Sequence, residues 1–353
     1  MSLRAIYSHS FKSAHALAIL AGETFDTPAV YHDQGGKEGD LDALLARKDI
    51  DAVIIALPIT VQPEIIKKCF EAGKHVLSEK PVAPDVKQGE ALIKEYEEKY
   101  RPKGVKWRVA ENFECEPAYR FVRTLIEGDK IGKVGWWTLT SVGFISKDSK
   151  WYKTPWRTVP EVCAFSLANE YANSAQYQGG FLLDGGVHFA AILRTALPSH
   201  PVSLSGYATL LQSYLPPQDT FTVTALSSDG SHGTFELAQG APASSRTGQS
   251  FNVTGEKGWI RMSQTKGVYK VELWVSVEKK VGEETKHEEV KEEWEIKSEG
   301  VEVEVGWFVD DVSGKEGDWD GKHAGNPREA LRDVAFIEAG LKSNGEKMSL
   351  QGH

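Results

Sequence analysis

The first 112 residues alternate short, wholly apolar runs with amphipathic segments, and this restricts the fold more than any other feature of the chain. Arg4 to Ser8 reads as a strand, and a helix follows from about Ser13 to Ala21. Asp51-Ala52-Val53-Ile54-Ile55-Ala56-Leu57-Pro58 is a buried strand closed by a proline. A helix from about Val61 to Ala72 stops at Gly73, and His75 to Ser78 is the next strand. Asp85 caps a helix reaching about Lys99, and Trp107 to Glu111 is a further strand. Strands that are apolar throughout have no solvated face. They belong to a parallel sheet covered by helices on both sides.

After about residue 130 the period changes. Val134–Val142, Leu204–Leu211, Phe221–Leu226, Gly233–Leu237, Phe251–Val253, Trp259–Met262 and Tyr269–Val275 read as strands separated by turns such as Ser228-Asp229-Gly230. These predict a mainly antiparallel sheet with one solvated face. Helices are expected near Tyr119–Glu127, from about Gly186, and from Pro327 to about Lys342. The fold class is therefore α/β followed by α+β: a Rossmann-like parallel domain over 1–112, then a large-sheet domain over 113–353. The last helix is placed to pack back on the first domain. The Glu/Lys-rich stretch Glu278–Glu295 reads as a solvated, twisting hairpin.

A length of 353 residues suits two cores. The net charge of −9 argues against a nucleic-acid or anionic-membrane partner. Cys69, Cys115 and Cys163 have no metal spacing and read as idle thiols, which suits a reducing, cytoplasmic setting. Neither a signal peptide nor a membrane span is visible, and no metal site is expected.

Two segments carry chemistry. Ala72-Gly73-Lys74-His75-Val76-Leu77-Ser78-Glu79-Lys80-Pro81 delivers Lys80 at the carboxyl end of a strand, the edge where open α/β sheets bind ligands. A lysine there can hydrogen-bond a hydroxyl or carbonyl, and desolvation lets an ammonium act in proton transfer. Gly179-Gly180-Phe181-Leu182-Leu183-Asp184-Gly185-Gly186-Val187-His188 sets Asp184 and His188 four residues apart, on one face of a helical turn. A carboxylate and an imidazole so placed can bind a polyol and move a proton.

The first segment resembles the AGKHVxxEKP signature of the Gfo/Idh/MocA oxidoreductases, and the second is similar to that family's GGxxxDxxxH element. Further likenesses are Lys130-Ile131-Gly132-Lys133-Val134 at the entry to the second domain, the Trp156-Arg157 pair of some fungal-type members, and Asn326-Pro327-Arg328-Glu329-Ala330 opening the last helix. The resemblance implies Lys80, Asp184 and His188 as catalytic residues, and Pro58 and Glu79 beside a nicotinamide cofactor. It implies Asn112, Gln62, Trp156 and Arg157 on the substrate, and a homodimer formed through the second-domain sheet.

The match departs from the family in three places. Ala110-Glu111-Asn112-Phe113-Glu114 puts a carboxylate near a position where an arginine is common. Pro58-Ile59-Thr60-Val61-Gln62 lacks the histidine that often follows this proline. No GxGxxG turn precedes residue 112, and the chain opens on what resembles the family's second strand. A strand, phosphate loop and helix are thus expected to be missing, which leaves a gap in the sheet or forces its neighbours to pair. Ser8, His9 and Lys12 fall where members read the adenosine ribose, and they suit the 2′-phosphate of NADP(H).

The leading expectation is an NADP-linked oxidoreductase acting on a sugar-like polyol or a carbonyl. The alternatives are a cofactor-independent dehydratase, isomerase or cyclase of specialised metabolism on the same scaffold, and a non-catalytic sensor.

Overall fold

A computed structural model describes residues 2–154, 179–281, 284–316 and 321–352. The first domain runs β1 (Ala5–Ser8), α1 (Phe11–Gly22), β2 (Ala29–His32), α2 (Leu41–Leu45), β3 (Ala52–Ile55), α3 (Gln62–Glu71), β4 (His75–Glu79), α4 (Val86–Glu95) and β5 (Trp107–Ala110). Helix starts follow their caps: Ser10 accepts from the Ser13 amide and Asp85 from the Gln88 amide. All strand pairs here are parallel, as the apolar runs predict, but they form two sheets, β1–β2 and β3–β4–β5.

Among the described residues β1 does not pair with β3, so the parallel strands do not join into one sheet. Ile54 of β3 is exposed, as are Leu17, Ile19 and Leu20 of α1. The β1–β2 pair keeps a small core of its own from Ile6, Ala14 and Ala18. Strand β2 has no counterpart among the expected elements. Its burial is only partial, so its sequence lacks the apolar run that marks β3 and β4.

The second part begins with α5 (Asn112–Cys115), α6 (Pro117–Glu127), β6 (Val134–Val142) and α7 (Gly180–Ala196). It continues with β7 (Pro201–Thr209), β8 (Thr220–Ser227), β9 (His232–Ala238), β10 (Gly248–Gly255), β11 (Gly258–Thr265), β12 (Val268–Val281) and β13 (Glu284–Lys297). It closes with α8 (Gly300–Val312), α9 (Pro327–Lys342) and β14 (Met348–Ser349). Nine strands make one sheet in the order β13-β12-β11-β10-β6-β9-β8-β7-β14. It is antiparallel except that β6 and β9 run parallel, so the sheet is mixed. The acidic stretch is the β12–β13 hairpin.

Helix α7 starts at Gly180, six residues before the expected Gly186, so the whole Gly-Phe-Leu-Leu-Asp-Gly-Gly run is helical. Helix α8 is a further unexpected element. Its Val-Glu alternation from Val301 to Val305 mimics the two-residue period of a strand. A helical period wins because Val305, Phe308 and Val312 then share a face and pack on Leu77 and Ala110 of the parallel sheet. Gly300 lets this helix start close to α5, since a Cβ there would lie 2.3 Å from the Asn112 carbonyl oxygen. Helix α9 packs on α7, on the large sheet and on the first domain. The Val86 amide donates to Glu338, and Arg328 pairs with Glu97.

Candidate active site

The carboxyl ends of β4 and β5 meet the first turns of α7, and this junction gathers the ionisable residues. Lys80 leaves the end of β4 and donates from Nζ to the Asp184 backbone oxygen at 2.7 Å and to its Oδ1 at 3.0 Å. Asp184 is buried, so the pair fixes α7 against the parallel sheet from inside.

One turn further along α7, His188 Nδ1 lies 2.6 Å from Glu111 Oε1. Phe113 stacks on the imidazole, with ring centroids 4.7 Å apart and planes at 24°. With Nδ1 committed to Glu111 and one face covered, Nε2 is the nitrogen left for proton exchange, and the ring's orientation is set.

Glu111 is the member of this cluster that sequence reasoning missed. Met as a departure from an arginine, it is the anionic partner of the histidine. It is 1% exposed and also accepts from the Phe113 amide. Burial works to raise its pKa, but the charge and hydrogen bond of His188, together with Lys80 and Arg194, hold it below the usual glutamate value. Sequence spacing gives no hint of the pair, because 77 residues separate its members.

Beneath this layer Arg194 is sandwiched between carboxylates. Its Nη1 lies 2.9 Å from Glu114 Oε1, and Nε and Nη2 form a fork on Asp333 at 2.9 and 3.0 Å. These charges hold the guanidinium protonated despite its burial. Glu79, beside Lys80, is pushed up by burial, and Glu304 of α8 is raised to about 9 by burial and by Glu79, Glu111, Glu114 and Glu116.

The remaining expected residues distribute as follows. Gln62 is 1% exposed at the start of α3. Its Nε2 donates to the Glu79 carbonyl at 3.2 Å, and its Oε1 is buried without a partner. Pro58 follows β3, and Asn112 opens α5. Ser8, His9 and Lys12 lie at the carboxyl end of β1 and the start of α1, with His9 and Tyr7 bonded to the Asp33 carboxylate. Trp156 and Arg157 lie outside the described residues. Among the described residues no cluster of His, Cys, Asp or Glu could hold a metal ion.

A nicotinamide group fits part of this edge. The orphan Gln62 Oε1 is a buried acceptor beside the β4 terminus, suited to a carboxamide N–H, and Lys80 and His188 lie on the same side. No glycine-rich strand–turn–helix occurs among the described residues, so no pyrophosphate contact is assigned.

The parallel strands thus end on a Lys–Asp–His cluster, and a large mixed sheet follows them in the chain. Residues 1–106 match the NAD-binding Rossmann domain of the oxidoreductase family, and residues 119–261 match the GFO/IDH/MocA C-terminal domain. A dehydrogenase of Fusarium mangiferae, FPY6, is 34% identical over 350 residues, covering 97% of this chain and 89% of its own. The chain belongs to the GFO/IDH/MocA oxidoreductase family. Among solved structures, an oxidoreductase from Thermotoga maritima superposes with a TM-score of 0.74 at 26% identity, covering 98% of this chain and 89% of its own. A levoglucosan dehydrogenase in complex with NADH shares the fold, with a TM-score of 0.70 at 18% identity, covering 99% of this chain and 90% of its own. No helix among the described residues is long and apolar enough to cross a membrane.

Proposed function

We propose that this protein is an NADP-linked oxidoreductase that interconverts a hydroxyl of a sugar-like polyol and the corresponding carbonyl. The observation that carries the reading is the junction of Lys80–Asp184 with His188–Glu111 at the carboxyl edge of the parallel sheet. The bound nicotinamide would supply the hydride exchange; the protein's own residues handle the oxygen and its proton. Lys80 donates twice to Asp184, so its third N–H can donate to the substrate oxygen and stabilise charge developing there. His188 Nε2 takes the hydroxyl proton on oxidation and returns it on reduction, while Glu111 holds Nδ1 and stabilises the imidazolium. Ser8 and Lys12 support a preference for the 2′-phosphate. Asp33, which would oppose it, is occupied by Tyr7 and His9.

The test combines binding with turnover. Millimolar NADPH is expected to raise the melting temperature more than NADH does; a ligand at 100 times its Kd adds about 2.7 kcal/mol. A polyol panel should then show nucleotide-dependent oxidation that Lys80→Met lowers by about 100-fold or more. No shift with either nucleotide sinks the reading. Turnover by nucleotide-free protein would instead establish the dehydratase, isomerase or cyclase alternative.

We further infer a homodimer through the outer face of the large sheet. Trp136 stands exposed on this face. Trp259 and Trp274 stack at 3.8 Å with Arg261 and Lys291 over their rings, and tryptophan and arginine are enriched in interfaces. The expected solution mass by light scattering is twice 39.0 kDa; a monomer at micromolar concentration rejects the dimer.

A further inference from the structure

Glu304 lies in the second turn of α8, the helix that packs on α5. Its Oε2 is buried and has no hydrogen-bond partner. Glu79 at the end of β4, and Glu111, Glu114 and Glu116 in the segment after β5, all act on it. Among the described residues, the cations of this site already have carboxylate or aromatic partners. Lys80 holds Asp184, His188 holds Glu111, Arg194 holds Glu114 and Asp333, and Arg120 stands 4.8 Å from the centre of the Trp307 ring. Glu116 is further satisfied by the Ser298 hydroxyl and the Glu299 amide, and Glu114 by the Gly325 amide.

One other carboxyl oxygen of this cluster lacks a partner among the described residues. Glu111 Oε2 is buried and unbonded, although its side chain is almost wholly enclosed. Two orphan carboxyl oxygens among so many acids cannot both belong to ions, because carboxylates only accept hydrogen bonds and buried charge without a counter-charge is costly. A proton bound to Glu304 removes a buried negative charge that has no counter-charge of its own among the described residues.

We propose that Glu304 is the proton-holding residue of this site: it stays a neutral acid and so fixes the charge that the Glu111–His188 pair faces. The proposal rests on His188 being the site's acid–base group and deepens that reading. Glu304 acts through Glu111 and is a positioning residue. While it is neutral, Glu111 is left to serve His188. Once it ionises, a further negative charge acts on the pair across the α5–α8 contact. Its elevated pKa, near 9, has the same physical origin as the argument from geometry: burial first, then Glu79 and the three carboxylates after β5.

The experiment is an NMR titration of protein carrying 13C-carboxyl glutamate and 13Cε1 histidine. One glutamate signal is expected to titrate above pH 8 and to be missing from Glu304→Gln. The His188 signal, assigned by its loss in His188→Gln, is expected to move over the same range in the wild type and to stay still there in Glu304→Gln. A Glu304 signal titrating in the ordinary carboxylate range overturns the proposal, as does a His188 curve unchanged by Glu304→Gln. Glu304→Asp supplies the glutamate assignment where Glu304→Gln does not fold, and the wild-type titration then decides. Neither signal needs substrate or nucleotide. Failure of the NADP-linked reading, seen as absent nucleotide binding, is therefore separate from failure here.

Discussion

Arg194→Leu is expected to lower the folding free energy by about 3–5 kcal/mol, the usual cost of removing one partner from a buried ion pair. Leucine keeps much of the volume but leaves two carboxylates behind. Glu114 retains the Gly325 amide, whereas the hydrogen bonds shown for the Asp333 carboxylate all come from Arg194. The three residues sit on α5, α7 and α9, so the loss loosens the contact that aligns His188 with the segment carrying Glu111. Arg194→Lys should fall between wild type and leucine, because a lysine keeps the charge but cannot form the fork on Asp333. Urea unfolding at pH 7.5 measures both variants. At acidic pH the stranded carboxylates take up protons, and the deficit of Arg194→Leu should shrink. A loss below about 1 kcal/mol at neutral pH would show that the triad does not hold these helices together.

Much of this architecture is readable from local pattern. The β3 and β4 runs, the proline after β3 and the Lys80 strand end follow from apolar continuity and turn chemistry, and the four-residue spacing of Asp184 and His188 follows from helical geometry. What stays hidden has a common cause. The partners of those residues come from distant segments, and nothing in Glu111, Glu114 or Glu304 as letters distinguishes a buried glutamate from a solvated one. Helix α8 shows the same limit. Its valines and glutamates alternate like a strand, and only the apolar surface of Leu77 and Ala110 selects the helix. The parallel β6–β9 pairing is likewise set by which edges remain free in the assembled sheet, a property no single strand carries.

Glu304→Gln is expected to act in the opposite direction from Arg194→Leu and to stabilise the fold at neutral and mildly alkaline pH. The Glu304 carboxyl has an ordinary value of 4.5 and is raised to about 9 in the folded protein. The native state therefore binds this proton more tightly than the unfolded chain does. Its contribution to stability is fully present below about pH 4.5 and is lost progressively as pH rises towards 9. Within that window folding must keep a proton that the unfolded chain has released, at a cost of up to about 1.4 kcal/mol per pH unit. Glutamine has the same shape, is neutral at every pH and carries no such cost. A gain of about 1–3 kcal/mol is expected at pH 7.5, growing with pH through the window and vanishing near 4.5. Thermal melts of both proteins from pH 5 to 9 give the comparison. Destabilisation by glutamine at pH 8, or a gain that does not change with pH, would place an ionised carboxylate at position 304 and remove the reason for its burial. A residue that costs stability across the working range while facing the partner of His188 is the pattern expected where charge at a reactive site is set at the expense of the fold.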